Sequence, residues 1–261
     1  MTAERFICCL KYGTLYPADY VNVLFNAARK AMRGPFRFIC LTDRAEGLLP
    51  GIEVLPIPDV GLEPKEWFVG GVWPKLGIYD RHFHGLKGRL VFVDLDMVVL
   101  RDLDAFFDMP GTYIGIDGGP RWGRPGSTAP QEELCSALVA YDIGALGGLA
   151  DKFRAEKRAI MGAYRTEQAY TEAELGKIDF WPEGWVISFK RTLRQPPIID
   201  LVREPKQPPQ TAKVLAFHGT PRPADLIGQG KAFWDRFPHL GHGPVSWMVD
   251  YWQDNGGGRL C

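Results

Sequence analysis

Two aspartates follow the most strongly apolar segment of the sequence, and their spacing directs both side chains to one place. Asp94 and Asp96 come directly after the apolar run 90–93. Residues i and i+2 of an extended chain point to the same side, so two carboxylates converge where a buried strand ends. Converging anions are costly unless a cation or a proton is shared between them. Because hard divalent cations prefer such oxygens, we predict that Asp94 and Asp96 bind a metal ion.

The same tripeptide recurs at Asp102-Leu103-Asp104, so the sequence offers two candidate acid pairs. The second copy precedes an Ala-Phe-Phe segment, which favours capping of a short helix by its acids. We therefore assign the metal site to Asp94 and Asp96. A solvated strand end is the alternative interpretation of that pair.

A histidine far along the sequence repeats this arrangement. His218 ends the apolar run 214–217, and Gly219 and Arg222 follow it. Imidazole is a common metal ligand, and glycine allows the backbone to approach a bound molecule closely. The planar guanidinium of Arg222 suits a diphosphate. His218 is thus the predicted third metal ligand, and a histidine with a purely structural role is the alternative.

Composition excludes several other classes of protein. Lys plus Arg and Asp plus Glu both number 31, so the net charge is zero, which argues against nucleic-acid binding. No window has the length of apolar sequence that a membrane span needs, and the N-terminus lacks a signal-peptide cleavage site. The five cysteines show no CxxC spacing, which favours reduced thiols and a cytoplasmic location.

The elements that must position these residues alternate between strand and helix in the first half of the chain. Apolar runs predict strands at 6–10, 36–41, 52–57 and 89–93, with an amphipathic helix at 17–31 and a short helix at 73–79. Later strands are predicted at 112–116, 138–141 and 214–217, and a helix at 148–161. This βαβ order predicts an α/β fold with a mostly parallel central sheet flanked by helices. Ligands bind at the carboxyl ends of such strands, where the candidate residues lie.

The motifs, taken in order, resemble those of a known family. Residues 91–96, together with Ala105-Phe106-Phe107-Asp108, resemble the DxD segment of GT-A glycosyltransferases, in particular the family 8 type and its bacterial relatives. Residues 218–223 are similar to the late HG-x-x-[KR]-P element of that group. Further similarities cover its T-K-L, L-T-D and W-P-E-x-W-x-x-S-[YF]-K segments, at 73–76, 41–43 and 179–190.

The resemblance implies a single GT-A (Rossmann-like) domain over residues 1–261, with a nucleotide-binding part at about 1–110 and an acceptor part at about 111–261. It implies a nucleotide-sugar donor, usually a UDP-sugar, and a divalent cation, Mn²⁺ or Mg²⁺. Transfer would proceed with retention of configuration to an unknown glycan, lipid-linked or small-molecule acceptor. The metal ligands would be Asp94, Asp96 and His218.

The resemblance also implies roles in donor binding and catalysis. Lys75 and Arg222 would contact donor oxygens, with Gly219 beside them, and the nucleoside would be bordered by Lys11, Tyr16 and Asp43. The family's D-Q-[DA] element appears as Glu167-Gln168-Ala169, which adds Glu167 and Gln168 to Asp94 and Asp96 as catalytic residues. The family's N-S-[GS] element appears as Cys135-Ser136-Ala137, so Ser136 would contact the donor sugar. Cys135 and Ala169 depart from the pattern, which implies a different donor or reduced activity.

Two rival functions remain open. Residues 94–98 formally match the D-x-D-x-[TV] motif of haloacid dehalogenase-type phosphotransferases, in which Asp94 would be the nucleophile. A GT-A-like domain that binds a nucleotide without transferring a sugar is the other. The Gly/Pro-rich segment 117–130 is predicted to be either an active-site cover, with Trp122 stacking on a sugar, or a plain surface loop.

Overall fold

The first half of the chain forms the alternating strands and helices that its sequence predicts. A computed structural model of the protein describes residues 3–119, 122, 132–228, 233–235 and 237–258. It begins with β1 (Arg5–Lys11), α1 (Ala18–Ala31), β2 (Arg37–Thr42) and β3 (Ile52–Leu55). The last of these strands ends before residue 57, because prolines at 56 and 58 cannot donate hydrogen bonds to a neighbouring strand.

The central sheet has seven strands in the described part of the chain. The strands added to the first three are β4 (Arg89–Val93), β6 (Tyr113–Asp117), β7 (Leu134–Asp142) and β8 (Asp179–Phe180). Their order is β3-β2-β1-β4-β7-β6-β8. The first four strands are mutually parallel, β7 is antiparallel to both β4 and β6, and β8 is parallel to β6. The predicted mostly parallel α/β fold is confirmed.

The order of the strands reverses beside β1, and this fixes where a ligand can bind. The chain runs from β1 to β2 and β3 on one side, and β4 then pairs with the opposite edge of β1. Sheets of this kind bind ligands in the crevice outside the carboxyl ends of the strands at such a reversal. Here that crevice lies beyond Lys11 and Val93, directly before Asp94.

A second sheet of three strands extends the end of β4. It contains β5 (Met97–Val99), β9 (Val186–Ser188) and β10 (Val214–Ala216), with β10 between the other two. In the antiparallel pair of β5 and β10, Ala216 lies opposite Met97. The N–H of Phe217 then donates to the carbonyl of Asp96 at 3.3 Å. The backbone at His218 is therefore held beside the acid pair.

Helices cover both faces of the central sheet. Alternate residues of β1 enter different cores: Ile7 and Cys9 pack in the core that includes α1, and Phe6 and Cys8 pack in the core that includes Trp73. The predicted short helix at Trp73–Tyr79 is a 3₁₀ helix. In the described part of the chain, the other α-helices are α2 (Asp104–Asp108), α3 (Gly147–Ala163), α4 (Glu167–Leu175), α5 (Pro223–Ile227) and α6 (Ser246–Asp254). Short 3₁₀ turns at Pro64–Glu66, Phe83–Gly85 and Ile199–Leu201 and a π-helix at Phe189–Leu193 complete the described helices. None of the helices that the structure describes is both long and apolar enough to span a bilayer.

The second Asp-Leu-Asp copy has a structural role, although not the predicted one. The capping interpretation is wrong, because no side chain caps α2, and Leu103 occupies its N-cap position. Instead the buried carboxylate of Asp104 accepts hydrogen bonds from the N–H groups of Arg33 (2.8 Å) and Gly34 (3.3 Å) and forms an ion pair with Arg5 at 2.8 Å. It fixes the turn that follows α1 and lies beside Arg5 at the start of β1, the opposite end of that strand from Asp94.

The cysteines that the structure describes are free thiols, as predicted. Cys8, Cys9 and Cys40 are buried, and Cys135 is half-buried. Burial raises the pKa of Cys135 to about 11, so this thiol is uncharged at neutral pH. Cys261 lies outside the described residues.

Candidate functional site

A buried lysine holds the first aspartate of the pair. Lys75, in the 3₁₀ helix that crosses the end of the sheet, is 2% exposed. Its Nζ donates to both carboxylate oxygens of Asp94 at 3.0 Å and to the carbonyl of Ser136 at 3.0 Å. Burial alone would lower the pKa of Lys75, but the charges of Asp94 and Glu167 outweigh it and raise that pKa. The ammonium therefore stays charged and fixes the orientation of Asp94.

The start of α4 places two more predicted residues on the same cluster. Oε1 of Glu167 accepts a hydrogen bond from Ser136 Oγ at 2.7 Å and lies 3.6 Å from Lys75 Nζ. Oε1 of Gln168 accepts the N–H of Ser136 at 3.0 Å. Thr166 caps the helix by accepting the N–H of Ala169. The two residues of the Glu-Gln element are thus fixed against Ser136 of β7.

Glu167 is the most enclosed acid of this cluster. It is 3% exposed, and its Oε2 is buried without a hydrogen-bond partner. Burial raises the pKa of Glu167, although the Lys75 ammonium opposes this. An orphaned buried oxygen beside a crevice is a position where a ligand hydroxyl could donate.

The second aspartate of the pair is half-buried and contacts a tyrosine. Asp96 Oδ2 accepts a hydrogen bond from the hydroxyl of Tyr16 at 3.4 Å. Burial and the adjacent charge of Asp94 raise the pKa of Asp96 to about 7. The guanidinium of Arg222 lies over the ring of Tyr16, 5.5 Å from its centroid. Asp96, Tyr16 and Arg222 therefore form one contiguous group, which spans the start of α1 and the start of α5.

His218 reaches the same region from the small sheet. Its Nε2 is 2.7 Å from Ser188 Oγ, and its ring stacks on Trp122 with centroids 5.5 Å apart. Burial, followed by the charges of Lys190 and Arg191, lowers the pKa of His218 to about 4. The imidazole is therefore neutral at neutral pH, which is the form that ligates metals. Gly219 follows with φ +76°, a conformation that favours glycine.

The remaining predicted residues lie at the ends of β1 and β2. Lys11 is 5% exposed, and its Nζ lies 3.5 Å from the carbonyl of Arg44. Asp43 is exposed, and its carboxylate accepts the N–H of Gly13 at 3.2 Å. Asp43 therefore pins the turn after β1, and Lys11 lies beneath that turn.

Ser188, which bonds to His218, has no role predicted from the sequence. The available signal is that β9, like β4 and β10, is a short apolar strand with a polar residue at its carboxyl end. Within the predicted cover segment, Trp122 is described and its carbonyl accepts a hydrogen bond from Arg191 at 3.1 Å. The arginines of that segment, Arg121 and Arg124, lie outside the described residues.

The three predicted metal ligands, Asp94, Asp96 and His218, can be compared with what a divalent cation requires. Asp96 is a half-buried carboxylate with a raised pKa, and a cation would compensate its charge. Among the residues that the structure describes, however, no three His, Cys, Asp or Glu side chains are already grouped as a metal site. Nε2 of His218 is instead engaged by Ser188. The acid pair therefore suits a hard cation. The backbone before His218 bonds to Asp96, but the imidazole itself contacts the hydroxyl of Ser188.

Comparisons with known proteins place the fold. No protein-family model matches the sequence, and no curated protein sequence matches it. The apo structure of the bifunctional glycosyltransferase WbbM matches with a TM-score of 0.60 and 13% identity, over 98% of this chain and 50% of that one. This chain thus spans about half the length of WbbM.

Two structures of one further enzyme match over nearly their whole length. The galactosyltransferase LgtC, in complex with donor and acceptor sugar analogues, gives a TM-score of 0.57 at 10% identity, over 95% of both chains. An active-site mutant of LgtC gives 0.55 at 9% identity, again over 95% of both chains. At these identities the likeness concerns the fold, and the chain has the GT-A fold of these glycosyltransferases.

Proposed function

We propose that the protein transfers a sugar from a nucleotide-sugar donor, a UDP-sugar in the simplest case, to a glycan, lipid-linked or small-molecule acceptor. One observation carries the proposal. Asp94 and Asp96 follow the carboxyl end of β4, where the order of the strands reverses, and a cation lies near each of them. Lys75 is bound to Asp94, and Arg222 lies over the tyrosine that is bound to Asp96. A diphosphate is the ligand that such a crevice suits.

In this proposal a divalent cation, Mn²⁺ or Mg²⁺, is held by Asp94, Asp96 and His218. The acids supply hard oxygen ligands, and the neutral imidazole supplies a nitrogen. Because Ser188 engages Nε2, we assign the ligating role to Nδ1 of His218. The bound cation would compensate the negative charge that develops on the departing diphosphate.

The protein's own residues would bind and orient the donor. Lys75 donates hydrogen bonds to both carboxylate oxygens of Asp94, so its contribution is to position that carboxylate. Arg222 offers its guanidinium to phosphate oxygens on the solvent side of Tyr16. Gln168 presents an amide held by Ser136, and the unpartnered Oε2 of Glu167 can accept a hydrogen bond from a hydroxyl of the donor sugar. We further propose retention of configuration, for which no base opposite the sugar is needed.

Release of UDP from a panel of UDP-sugars tests the proposal. We expect release with Mn²⁺ and its loss with EDTA. Release of phosphate from small phosphomonoesters, with no affinity for UDP, would instead establish the dehalogenase-type alternative. Tight UDP binding without release would establish the binding-only alternative.

The two Asp-Leu-Asp copies provide a matched control. Asp96→Asn should abolish Mn²⁺-dependent UDP release. Asp104→Asn changes the same residue type in the same tripeptide and should leave that release intact in the folded protein. The opposite result would assign the metal site to the wrong acid pair.

A further inference from the structure

An exposed aromatic ring rests on the turn that follows β1 and has no role in the function proposed above. Phe68 is 67% exposed, in the segment between β3 and the 3₁₀ helix that contains Lys75. Its ring rests on the turn after β1: a Cβ built on Gly13 would lie 2.7 Å from Cε1 of Phe68. Gly13 has φ +63°, so this position favours glycine both for its backbone and for the contact.

The segment that carries Phe68 is fixed at several points. The ring of Tyr12 contacts Phe68 at 5.9 Å and Trp67 at 6.1 Å between centroids. Glu66 forms an ion pair with Lys157 at 2.6 Å, and the carbonyl of Gly71 accepts the N–H of Glu167 at 2.8 Å. A large aromatic side chain is thus held in place while most of its surface faces water, which is typical of a binding surface.

Phe68 is placed to meet the nucleoside end of a nucleotide whose diphosphate binds at the acid pair. The turn on which it rests follows β1, the strand at which the sheet order reverses. Tyr12 directly follows β1, which pairs in parallel with β4 so that Cys8 lies opposite Phe92, two residues before Asp94. Its ring therefore connects the end of the strand beside Asp94 with Phe68. A diphosphate bound at Asp94 and Asp96 would therefore extend its nucleoside past Tyr12 towards Gly13 and Phe68.

We propose that the exposed ring of Phe68 is the surface on which the nucleobase of the donor stacks. This inference rests on the proposed function and adds the residue that binds the base. Stacking on an aromatic ring uses the π-face that every base has, so Phe68 contributes affinity for the base and none for the diphosphate. The glycine at position 13 leaves the space in which the ring lies against the backbone.

Equilibrium binding of UDP and of inorganic pyrophosphate, each with Mn²⁺, separates the two halves of the ligand. Phe68→Ala should weaken UDP binding by about five- to a hundredfold, the range that stacking contributes per base, and should leave pyrophosphate binding unchanged. Phe68→Tyr keeps the ring and should restore UDP binding. Phe237→Ala removes another exposed phenylalanine, 76% exposed, and should change neither affinity.

Three results would overturn the inference. UDP affinity that is equal in Phe68→Ala and the unchanged protein would show that the ring does not touch the base, and a raised KM for an acceptor would then assign it to the acceptor. An equal loss of UDP and pyrophosphate affinity would show that Phe68 supports the crevice as a whole. If the unchanged protein binds neither ligand, the proposed function itself fails, and the stacking inference with it.

Discussion

Replacing Asp96 with asparagine should stabilise the metal-free protein at alkaline pH while abolishing its response to Mn²⁺. The amide has nearly the shape of the carboxylate and carries no charge. Burial and Asp94 raise the pKa of Asp96 to about 7 in the folded protein, from an ordinary 3.8. At about 1.4 kcal/mol per pH unit, this difference sets an upper bound of ~4 kcal/mol on the cost of the charge. Because Asp94 shares the titration and the crevice admits solvent, we expect a gain of about 1–3 kcal/mol.

The sign of the pH dependence follows from the raised pKa. The folded protein binds the proton more tightly than the unfolded chain does, so this contribution to stability is complete below pH 4 and is lost as the pH rises through 7. Asparagine has no such loss. The free energy of unfolding of Asp96→Asn should therefore exceed that of the unchanged protein by an amount that grows between pH 5 and pH 8.

Urea unfolding in EDTA at these two pH values measures the difference. Asp104→Asn is the control with the opposite sign. Burial alone would raise the pKa of Asp104, but hydrogen bonds from the N–H groups of Arg33 and Gly34 outweigh burial and lower that pKa. That variant should lose about 1–3 kcal/mol, the range for hydrogen bonds to a charged group. With Mn²⁺ added, the unchanged protein should gain stability and Asp96→Asn should not. A difference for Asp96→Asn that stays constant with pH, or has the opposite sign, refutes the reasoning.

Three further substitutions test the cluster around the acid pair. Lys75→Met leaves the buried Glu167 and the half-buried Asp94 without their cation and should reduce the free energy of unfolding at pH 7 by about 3 kcal/mol, measured with urea; a loss below ~1 kcal/mol would contradict the buried pair with Glu167. Gly71→Ala places a Cβ 2.6 Å from an indole nitrogen at φ +111° and should cost about 2–4 kcal/mol. UDP release should fall with it, since the carbonyl of Gly71 holds the N–H of Glu167. Ser188→Ala removes the hydroxyl that orients His218 and should weaken Mn²⁺ affinity about 10- to 100-fold with little change in stability; unchanged affinity would remove the imidazole from the proposed metal site.

The sequence predicts well those elements whose apolar pattern is uninterrupted. The strands at β1, β2 and β4 and the helix α1 lie within a residue or two of their predicted bounds, because buried parallel strands are continuous apolar runs. β7 begins at Leu134, four residues before the predicted strand. Its first residues alternate between buried and half-buried, and they follow a Gly/Pro-rich segment that gives no periodic signal.

For the candidate site, the sequence predicts individual residues but not the contacts between them. Strand ends locate Asp94, Asp96 and His218 one at a time, because polar residues after apolar runs are visible in a sequence. The contacts between them are not visible. Nothing in the spacing shows that Lys75 meets Ser136 and Glu167, or that the hydroxyl of Ser188 at the end of β9 bonds to His218. Those contacts depend on the strand order, which arises from packing across the whole chain.

The pairing of β5 with β10 has a kinetic consequence. It joins residues separated by about 120 positions, so the chain must close a long loop before the imidazole can reach the acid pair. Contacts of such high sequence separation form slowly, whereas the early strands and α1 pair with near neighbours. During folding, Asp94 and Asp96 would therefore be in place at the end of β4 before His218 is brought beside them. The proposed binding of Mn²⁺ and nucleotide should therefore appear late in refolding, after most of the helical signal has returned.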